Sequence, residues 1–251
     1  MAALTYSIVL PAYNESAGIA DTLSKILAYI AKRGWNAEII VVDGGSSDGT
    51  REIVREYARN YPLVRLLESP ENRGKGYCVR NGMLYANGDI LLFTDADLSS
   101  PIEEADKLFT ALMNGADVAI GSRWLDSHLQ IQKQPLHRQL FGRIFNLATH
   151  IILGLRFKDT QCGFKAFTRR SALAIFPLQK IDRWGFDPEL LCLARKFGFS
   201  ISEVPVVWAD HKGSRVSPLR DGVAMFVEMF RIRWHVMNGN VVPPSEAYES
   251  R

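Results

Sequence analysis

The stretch Asp89-Ile90-Leu91-Leu92-Phe93-Thr94-Asp95-Ala96-Asp97 decides how the rest of the chain is read. Ile90 to Phe93 is a short apolar run with the length and content of a buried strand. It ends in two carboxylates with one residue between them. A central strand ends where its sheet meets solvent, so Asp95 and Asp97 are expected at the rim. In open α/β sheets, ligands bind outside the carboxyl ends of the strands. Two carboxylates there suit a hard divalent cation, Mg²⁺ or Mn²⁺, which takes oxygen ligands and would neutralise a substrate's phosphates. The plain alternative is a solvated turn ahead of a helix, because Ser99-Ser100-Pro101 followed by Glu103 and Glu104 has the composition of a helix start. Asp-x-Asp spacing is common by accident, so the neighbouring stretches must decide.

Upstream, Tyr6 to Leu10 reads as a strand stopped by Pro11, and Glu15 to Arg33 carries helical spacing up to Gly34. Glu38 to Val42 is a second strand ending at Asp43. Gly44-Gly45-Ser46-Ser47-Asp48-Gly49 follows, with Asp48 as a candidate cap for a helix over Thr50 to Arg59. Leu63 to Leu67 is a strand and Gly74 to Tyr85 a helix. Downstream, Glu103 to Asn114 is a helix and Asp117 to Ile120 a strand. Strand and helix thus alternate to about residue 121, which predicts an α/β fold: a doubly wound, mostly parallel central sheet with helices on both faces. Beyond that point the alternation fails. Gln134 to Gly154 reads as one long helix, Gly163 to Thr168 as a short strand, Pro188 to Lys196 as a helix, Ser202 to Trp208 as extended, and Arg220 to Val236 as a last helix. The expected organisation is an α/β ligand-binding half over residues 1–122, a half with amphipathic helices over 123–237 within the same single domain, and a polar tail over 238–251.

The chain has 251 residues and a formal net charge of +3, too small to argue for nucleic acid. Cys78, Cys162 and Cys192 form neither a zinc spacing nor a disulfide framework, which favours a reducing compartment. No basic segment precedes an apolar stretch at the N-terminus, so no signal peptide is expected. No run reaches the roughly 18 to 20 apolar residues of a membrane span.

Three strand ends now carry candidate ligand groups: Pro11-Ala12-Tyr13-Asn14-Glu15, then Asp43, then Asp95 and Asp97. In a parallel sheet they share one rim. Tyr13 can stack on a base, and Glu15 or Asp43 can accept hydrogen bonds from a base or ribose. Singly, Glu15 is equally a first-turn helix acid and Asp43 a turn residue. Their convergence on one rim favours function. Asn72-Arg73-Gly74-Lys75-Gly76 opens a helix and can approach a phosphate, although it lacks the pattern of a P-loop.

Together, Ile8 to Glu15, Val41 to Thr50 and Thr94 to Asp97 resemble the family 2 glycosyltransferases of GT-A fold, over residues 5 to about 215. The resemblance implies a nucleotide diphosphate sugar as donor. It would place the nucleoside on Pro11, Ala12, Tyr13, Glu15 and Asp43, with Lys75 and Ala96 as further donor contacts. Asp95 would lie near ribose and metal, and Asp97 would be the firmest ligand of Mg²⁺ or Mn²⁺. Asp159 to Lys165, Arg183 to Leu191, Glu203 to Trp208 and Gly213-Ser214-Arg215 resemble the dolichyl-phosphate β-glucosyltransferases, and slightly less the mannosyltransferases that use the same acceptor. Mannosyl relatives often carry Gln two residues after the second Asp as a further metal ligand, and Ser99 stands there in this chain.

The implied activity is an inverting, metal-dependent transfer of a hexose to a polyprenyl (dolichyl-type) phosphate at the cytoplasmic face of a membrane, with glucose from UDP-glucose as the first choice. The alternatives are mannose from GDP-mannose, or a saccharide hydroxyl as acceptor. Arg123, Arg138, Lys212, Ser214 and Arg215 are the expected acceptor-phosphate residues, since an Arg fork donates two hydrogen bonds to one phosphate. Gln161, Trp184 and Glu189 are expected to position acceptor or sugar. Asp187 joins Asp95 and Asp97 as a catalytic candidate, and Asp187 or Glu189 would be the base for a hydroxyl acceptor. The plain alternative for Asp187-Pro188-Glu189 is a helix N-cap and first turn. A sugar nucleotidyltransferase is disfavoured, because a Gly-rich loop usually follows its first strand and Pro11-Ala12-Tyr13 stands in that place.

Two helices are too apolar for simple surface helices. Leu136, Leu140, Ile144, Leu147 and Ile151 form one stripe, widened by Phe141, Phe145, Ala148 and Ile152. Val223, Phe226, Phe230, Trp234 and Met237 form another. They are expected either in the core or at a lipid surface as a peripheral attachment, with contacts between copies in a homo-oligomer as the competing use.

Overall fold

The computed structural model describes residues 4–132, 136–210, 218–239 and 241–244, with the backbone alone at 136–138 and 218–221. In chain order the elements are β1 (Thr5–Ala12), α1 (Ile19–Arg33), β2 (Asn36–Asp43), α2 (Thr50–Asn60), β3 (Val64–Glu68), α3 (Lys75–Tyr85), β4 (Ile90–Thr94), α4 (Ala105–Met113) and β5 (Val118–Ser122). The second half adds β6 (Gln130–Gln132), α5 (Leu136–Ala148), β7 (Phe164–Thr168), α6 (Arg169–Ile175), α7 (Phe186–Lys196), β8 (Ile201–Pro205), β9 (Trp208–Ala209) and α8 (Pro218–Ile232). Helices α5 and α8 each run on into a π-helical turn, Thr149–Leu153 and Arg233–Met237.

Seven strands form one sheet in the order β3-β2-β1-β4-β7-β5-β8, and β6 pairs with β9 in a small parallel ladder. Only β7 runs against its neighbours, pairing antiparallel with both β4 and β5. The carboxyl ends of β1, β2 and β4 therefore share one rim, as the alternating pattern requires. Side-chain alternation splits the core in two. Ile8, Leu10, Ile39, Val41 and Leu92 face α1, α2 and α4, whereas Val9, Ile40, Val42, Leu91 and Phe93 face α3, α6 and α7.

Several boundaries differ from the sequence reading. Pro11 does not stop β1: it pairs opposite Val42, and the strand ends at Ala12. Ala12 accepts from Gly44 on the β2 side, so Pro11 faces the β4 side, where pairing has already stopped at Val9. Its missing N–H is not needed there. Helix α1 starts at Ile19 rather than Glu15, because residues 14–16 are held in a loop by Ser46, Thr50 and Asp48. Helix α6 was not anticipated. Its signal was present: Thr168 at the N-cap accepts from the Ser171 N–H.

The two apolar helices resolve in one way. Phe145, Ala148 and Ile152 pack on the core, as do Met229, Ile232 and Val236. The stripes singled out from spacing face outward instead: Leu140, Ile144, Leu147 and Ile151 on one helix, Val223, Phe226, Phe230 and Trp234 on the other. Ile151 is 73% and Trp234 77% exposed. No helix among the described residues is long and apolar enough to cross a membrane.

Candidate active site

The loops after β1 and β2 are laced together at the rim. Asn14, at φ +49°, accepts from the Ser47 N–H and donates its own N–H to Ser46. Glu15 donates to Thr50 and Ser16 to Asp48. Asp48 also accepts from the Thr50 N–H and hydroxyl, so it caps α2 from one residue outside the N-cap, which is Gly49. Asp43 ends β2 fully buried. Its Oδ2 accepts from the N–H groups of Gly45 and Ser46 at 3.0 Å and from Arg51 Nε at 2.5 Å. Its Oδ1 is buried with no hydrogen-bond partner among the described residues. A buried carboxylate oxygen left unmatched costs free energy.

Beyond β4 the chain turns sharply through Leu98, at φ +48°. Asp97 is exposed, and its Oδ1 accepts from both the N–H and the hydroxyl of Ser99 at 2.9 Å. Ser99 therefore orients Asp97 from behind. Asp97 Oδ2 makes no hydrogen bond among the described residues. Asp95 Oδ1 accepts from the Lys75 ammonium, and the Lys75 Nζ stands 5.8 Å from the centre of the Trp184 ring. Burial pushes the Lys75 ammonium towards neutrality, but the carboxylates of Asp95, Asp187 and Asp97 together outweigh it and raise its pKa. One cation thus sits in the field of three carboxylates.

Asp95 and Asp97 supply two carboxylates, and no group of three His, Cys, Asp or Glu able to hold a metal occurs among the described residues. That donor set fits Mg²⁺ or Mn²⁺, which is bound through one or two carboxylates plus substrate phosphates and waters. The Lys75 ammonium already on Asp95 shows that the position attracts positive charge. Ala96, whose carbonyl accepts from Thr22, is buried under the turn.

The loop carrying Lys75 is clamped to the loop carrying Trp184. Asp182 receives Arg73 at 2.8 Å and Arg80 at 2.9 Å, and its carbonyl accepts from the Tyr77 N–H. Gly74, at φ +117°, lies so close that a Cβ there would stand 2.5 Å from the Asp182 carbonyl oxygen. Glu228 of α8 accepts from the Gly185 N–H. Glu189 is buried under the same loop and accepts from the N–H groups of Lys180 and Ile181. It holds the loop rather than meeting the rim, and burial raises its pKa to about 7.

Asp187 lies in the first turn of α7, as its plain alternative expects, but is not its cap. The N-cap is Gly185, and Asp187 turns back to accept from Lys165 Nζ at 2.5 Å. Arg123 is also placed differently from a free phosphate ligand. Its Nε and Nη2 donate to the two oxygens of Asp159 at 2.6 and 2.8 Å, and its own N–H donates to Asp159 as well. Asp159 accepts in turn from the Gln161 N–H, so the Arg123 fork shapes the loop 159–163 and fixes Gln161 within it. Arg138 lies in the first turn of α5 with its side chain outside the described residues. Lys212, Ser214 and Arg215 lie outside the described residues too. The structure thus joins Lys75 to Asp95 and Trp184, with Asp97 and Asp187 in the field of Lys75, and sets Pro11, Ala12 and Asp43 at strand ends on the same rim. Arg51, Ser46, Asp182 and Lys165 are the supporting residues that sequence reasoning missed. For Lys165 a signal existed: a lysine within the central apolar strand Phe164-Lys165-Ala166-Phe167.

Residues 7–176 match the model of the Glycosyl transferase family 2. The chain belongs to this family. Among curated relatives it is 38% identical to a dolichyl-phosphate beta-glucosyltransferase of Trichomonas vaginalis, over 90% of this chain and 70% of that one. It is 37% identical to that of Drosophila melanogaster (91% and 74% covered) and 32% identical to that of Homo sapiens (93% and 76%). Among solved structures, glucosyl-3-phosphoglycerate synthase from Mycobacterium tuberculosis, in complex with Mn²⁺, UDP and glucosyl-3-phosphoglycerate, superposes with a TM-score of 0.68 at 21% identity, over 96% of this chain and 82% of that one. A mannosyltransferase from Pyrobaculum calidifontis, in complex with GDP-Man and Mn²⁺, gives 0.62 at 19% identity, over 92% and 65%. The family 2 glycosyltransferase is thus of GT-A fold, and its curated relatives are dolichyl-phosphate beta-glucosyltransferases.

Proposed function

We propose that this family 2 enzyme transfers glucose from UDP-glucose to a dolichyl-type polyprenyl phosphate, with inversion at the anomeric carbon and with Mg²⁺ or Mn²⁺ as cofactor. The observation that carries the donor side is the buried Asp43, whose Oδ1 is an acceptor unmatched among the described residues, on the same strand-end rim as Asp95 and Asp97. Asp43 would receive the imide N–H of a uracil, with Tyr13 and Glu15 beside it. The metal, held by Asp97 and Asp95, would stabilise the charge of the departing diphosphate. An oxygen of the acceptor phosphate forms the new bond to the anomeric carbon, the bond to the donor's β-phosphate oxygen breaks, and UDP leaves with that electron pair. An α-linked donor then gives a β-linked product. A phosphate monoester is already anionic near neutral pH, its second pKa being about 6, so Asp187 is not needed as a base and serves the sugar instead. Arg138, Lys212, Ser214 and Arg215 would receive the acceptor phosphate, while Arg123 acts through the loop 159–163.

The outward apolar stripes of α5 and α8 support a peripheral seat on the cytoplasmic face of a membrane. Large exposed apolar patches mark interaction surfaces, and from Leu136 to Leu153 the chain carries no acidic residue. Trp234→Asp should weaken co-sedimentation with anionic vesicles; unchanged sedimentation would remove the lipid assignment. The donor assignment is tested by calorimetry of UDP and GDP with Mn²⁺. UDP is expected to bind more tightly, and tighter binding of GDP would move the reading to a mannosyltransferase.

A further inference from the structure

Lys165 is fully buried, on the central strand β7. Phe164 and Ala166 point to one core, so Lys165 shares the opposite face with Phe167, where an apolar residue would be the simple choice. Its Nζ lies 5.6 Å from the centre of the Phe93 ring, and it donates to the Cys162 carbonyl and to Asp187 Oδ1, both at 2.5 Å. Lysine is almost never fully buried unless paired, and a buried ion pair is poor evidence of stabilisation, since well-packed apolar residues often do as well. Stability alone is therefore a weak explanation of this pair. The Asp187 carboxylate lies in the field of Lys75 and Asp95 as well as Lys165. The Cys162 carbonyl that Lys165 also holds precedes Gly163, which stands against the Asp95 carboxylate, so the pair lies close to the rim. Burial outweighs the nearby ammonium groups and raises the pKa of Asp187, and Lys165 is the largest influence opposing burial.

We propose that Lys165 is a positioning residue for the transferred hexose: it acts through Asp187, fixing by its ion pair the carboxylate that receives the hydroxyls of the donor sugar. The inference rests on the glycosyl-transfer reading above. An ionised carboxylate accepts hydrogen bonds from two hydroxyls, and a protonated one loses part of that capacity. The nucleoside and diphosphate contact other residues, so the sugar alone should sense Lys165.

The test compares wild type with Lys165→Met, Asp187→Asn and the double variant, using Mn²⁺, UDP, UDP-glucose and a short polyprenyl phosphate. Affinity for UDP should stay within about twofold in every variant, while transfer from UDP-glucose falls about ten- to a hundredfold in each single variant. The double variant should be no worse than Asp187→Asn, because both changes remove one device. It also removes both buried charges, so it keeps the fold if Lys165→Met alone does not. The residual rate of Lys165→Met should rise with pH more steeply than that of wild type, as the unsupported Asp187 ionises in the presence of Lys75 and Asp95. Asp187→Asn should lack that rise. A purely structural Lys165 would lower UDP affinity, melting temperature and transfer together, with additive losses in the double variant, and that result overturns the proposal. Wild type that binds UDP-glucose, with Lys165→Met equally active, overturns this inference alone. Wild type that binds no nucleotide sugar overturns the transfer reading, and this inference with it.

Discussion

Gly163 has a use that only its missing side chain explains. It sits just before β7, and a Cβ built on it would lie 2.3 Å from Asp95 Oδ2 and 2.6 Å from Oδ1. Ordinary contact begins at 3.4 Å, so Gly163→Ala forces the carboxylate back by 3.4 − 2.3, or about 1 Å. Gly163 is not among the glycines of positive φ, so alanine suits the backbone itself. The Asp95 side chain is 31% exposed and can swing toward solvent, and the melting temperature should therefore move by no more than a few degrees. A 1 Å misplacement at a reacting centre costs on the order of a hundredfold in rate, or about 2.7 kcal/mol. The assay is initial-rate transfer from UDP-glucose, paired with thermal unfolding. Gly163→Ala in an Asp95→Ala background should cost almost nothing further, since the displaced group is gone. A Gly163→Ala enzyme with the wild-type rate would refute the placement of Asp95 at the centre of the chemistry. A lost rate with a collapsed melting temperature would refute its confinement to the site.

Asp97→Asn keeps shape and removes charge, and should lower transfer by about a thousandfold or more with an unchanged fold; a folded variant with over a tenth of wild-type activity would contradict it. Glu189, ordinarily near 4.5, is raised to about 7 in the folded protein. Between these values the folded state binds the extra proton, so stability should fall as pH rises from 4.5 to 7, by a contribution on the order of 3 kcal/mol. Denaturant titrations of wild type and Glu189→Gln across that range should show the slope only in wild type; equal slopes would refute its burial as a carboxylic acid. Arg123→Ala strands the buried Asp159 and should cost roughly 3–5 kcal/mol of stability, whereas Arg215→Ala should cut transfer about tenfold or more at constant melting temperature. A stable Arg123→Ala enzyme would return Arg123 to the acceptor phosphate.

The fold was legible wherever one physical rule dominated. Buried parallel strands read as apolar runs, and those ending at Asp43 and Asp95 fell within a few residues of their structural bounds. Beyond residue 121, tertiary contacts override local pattern. Nothing local announces that β7 inserts antiparallel between β4 and β5, because its partners lie more than 40 residues away. The apolar stripes were visible, but spacing alone does not say which of two apolar faces of a helix meets the core, and the outward one was the more regular. Of the site, the rim carboxylates were legible because strand ends must meet solvent. Their counter-ions were not. Arg123 reads in the sequence as a cation for phosphate, and the structure puts Asp159 in its fork; Asp187 reads as a catalytic candidate or a helix cap, and the structure sets Lys165 against it. Which acid neutralises which base is a long-range pairing, with no trace in spacing.

The most direct measurement uses UDP-[¹⁴C]glucose, Mg²⁺ and a short polyprenyl phosphate, with label followed into the organic phase and the product's anomeric configuration read by NMR. The predicted result is a labelled β-glucosyl phosphoryl polyprenol, abolished by chelator and restored by Mg²⁺ or Mn²⁺. Label that stays in water-soluble saccharide, an α-linked product, or full transfer in chelator would contradict the account.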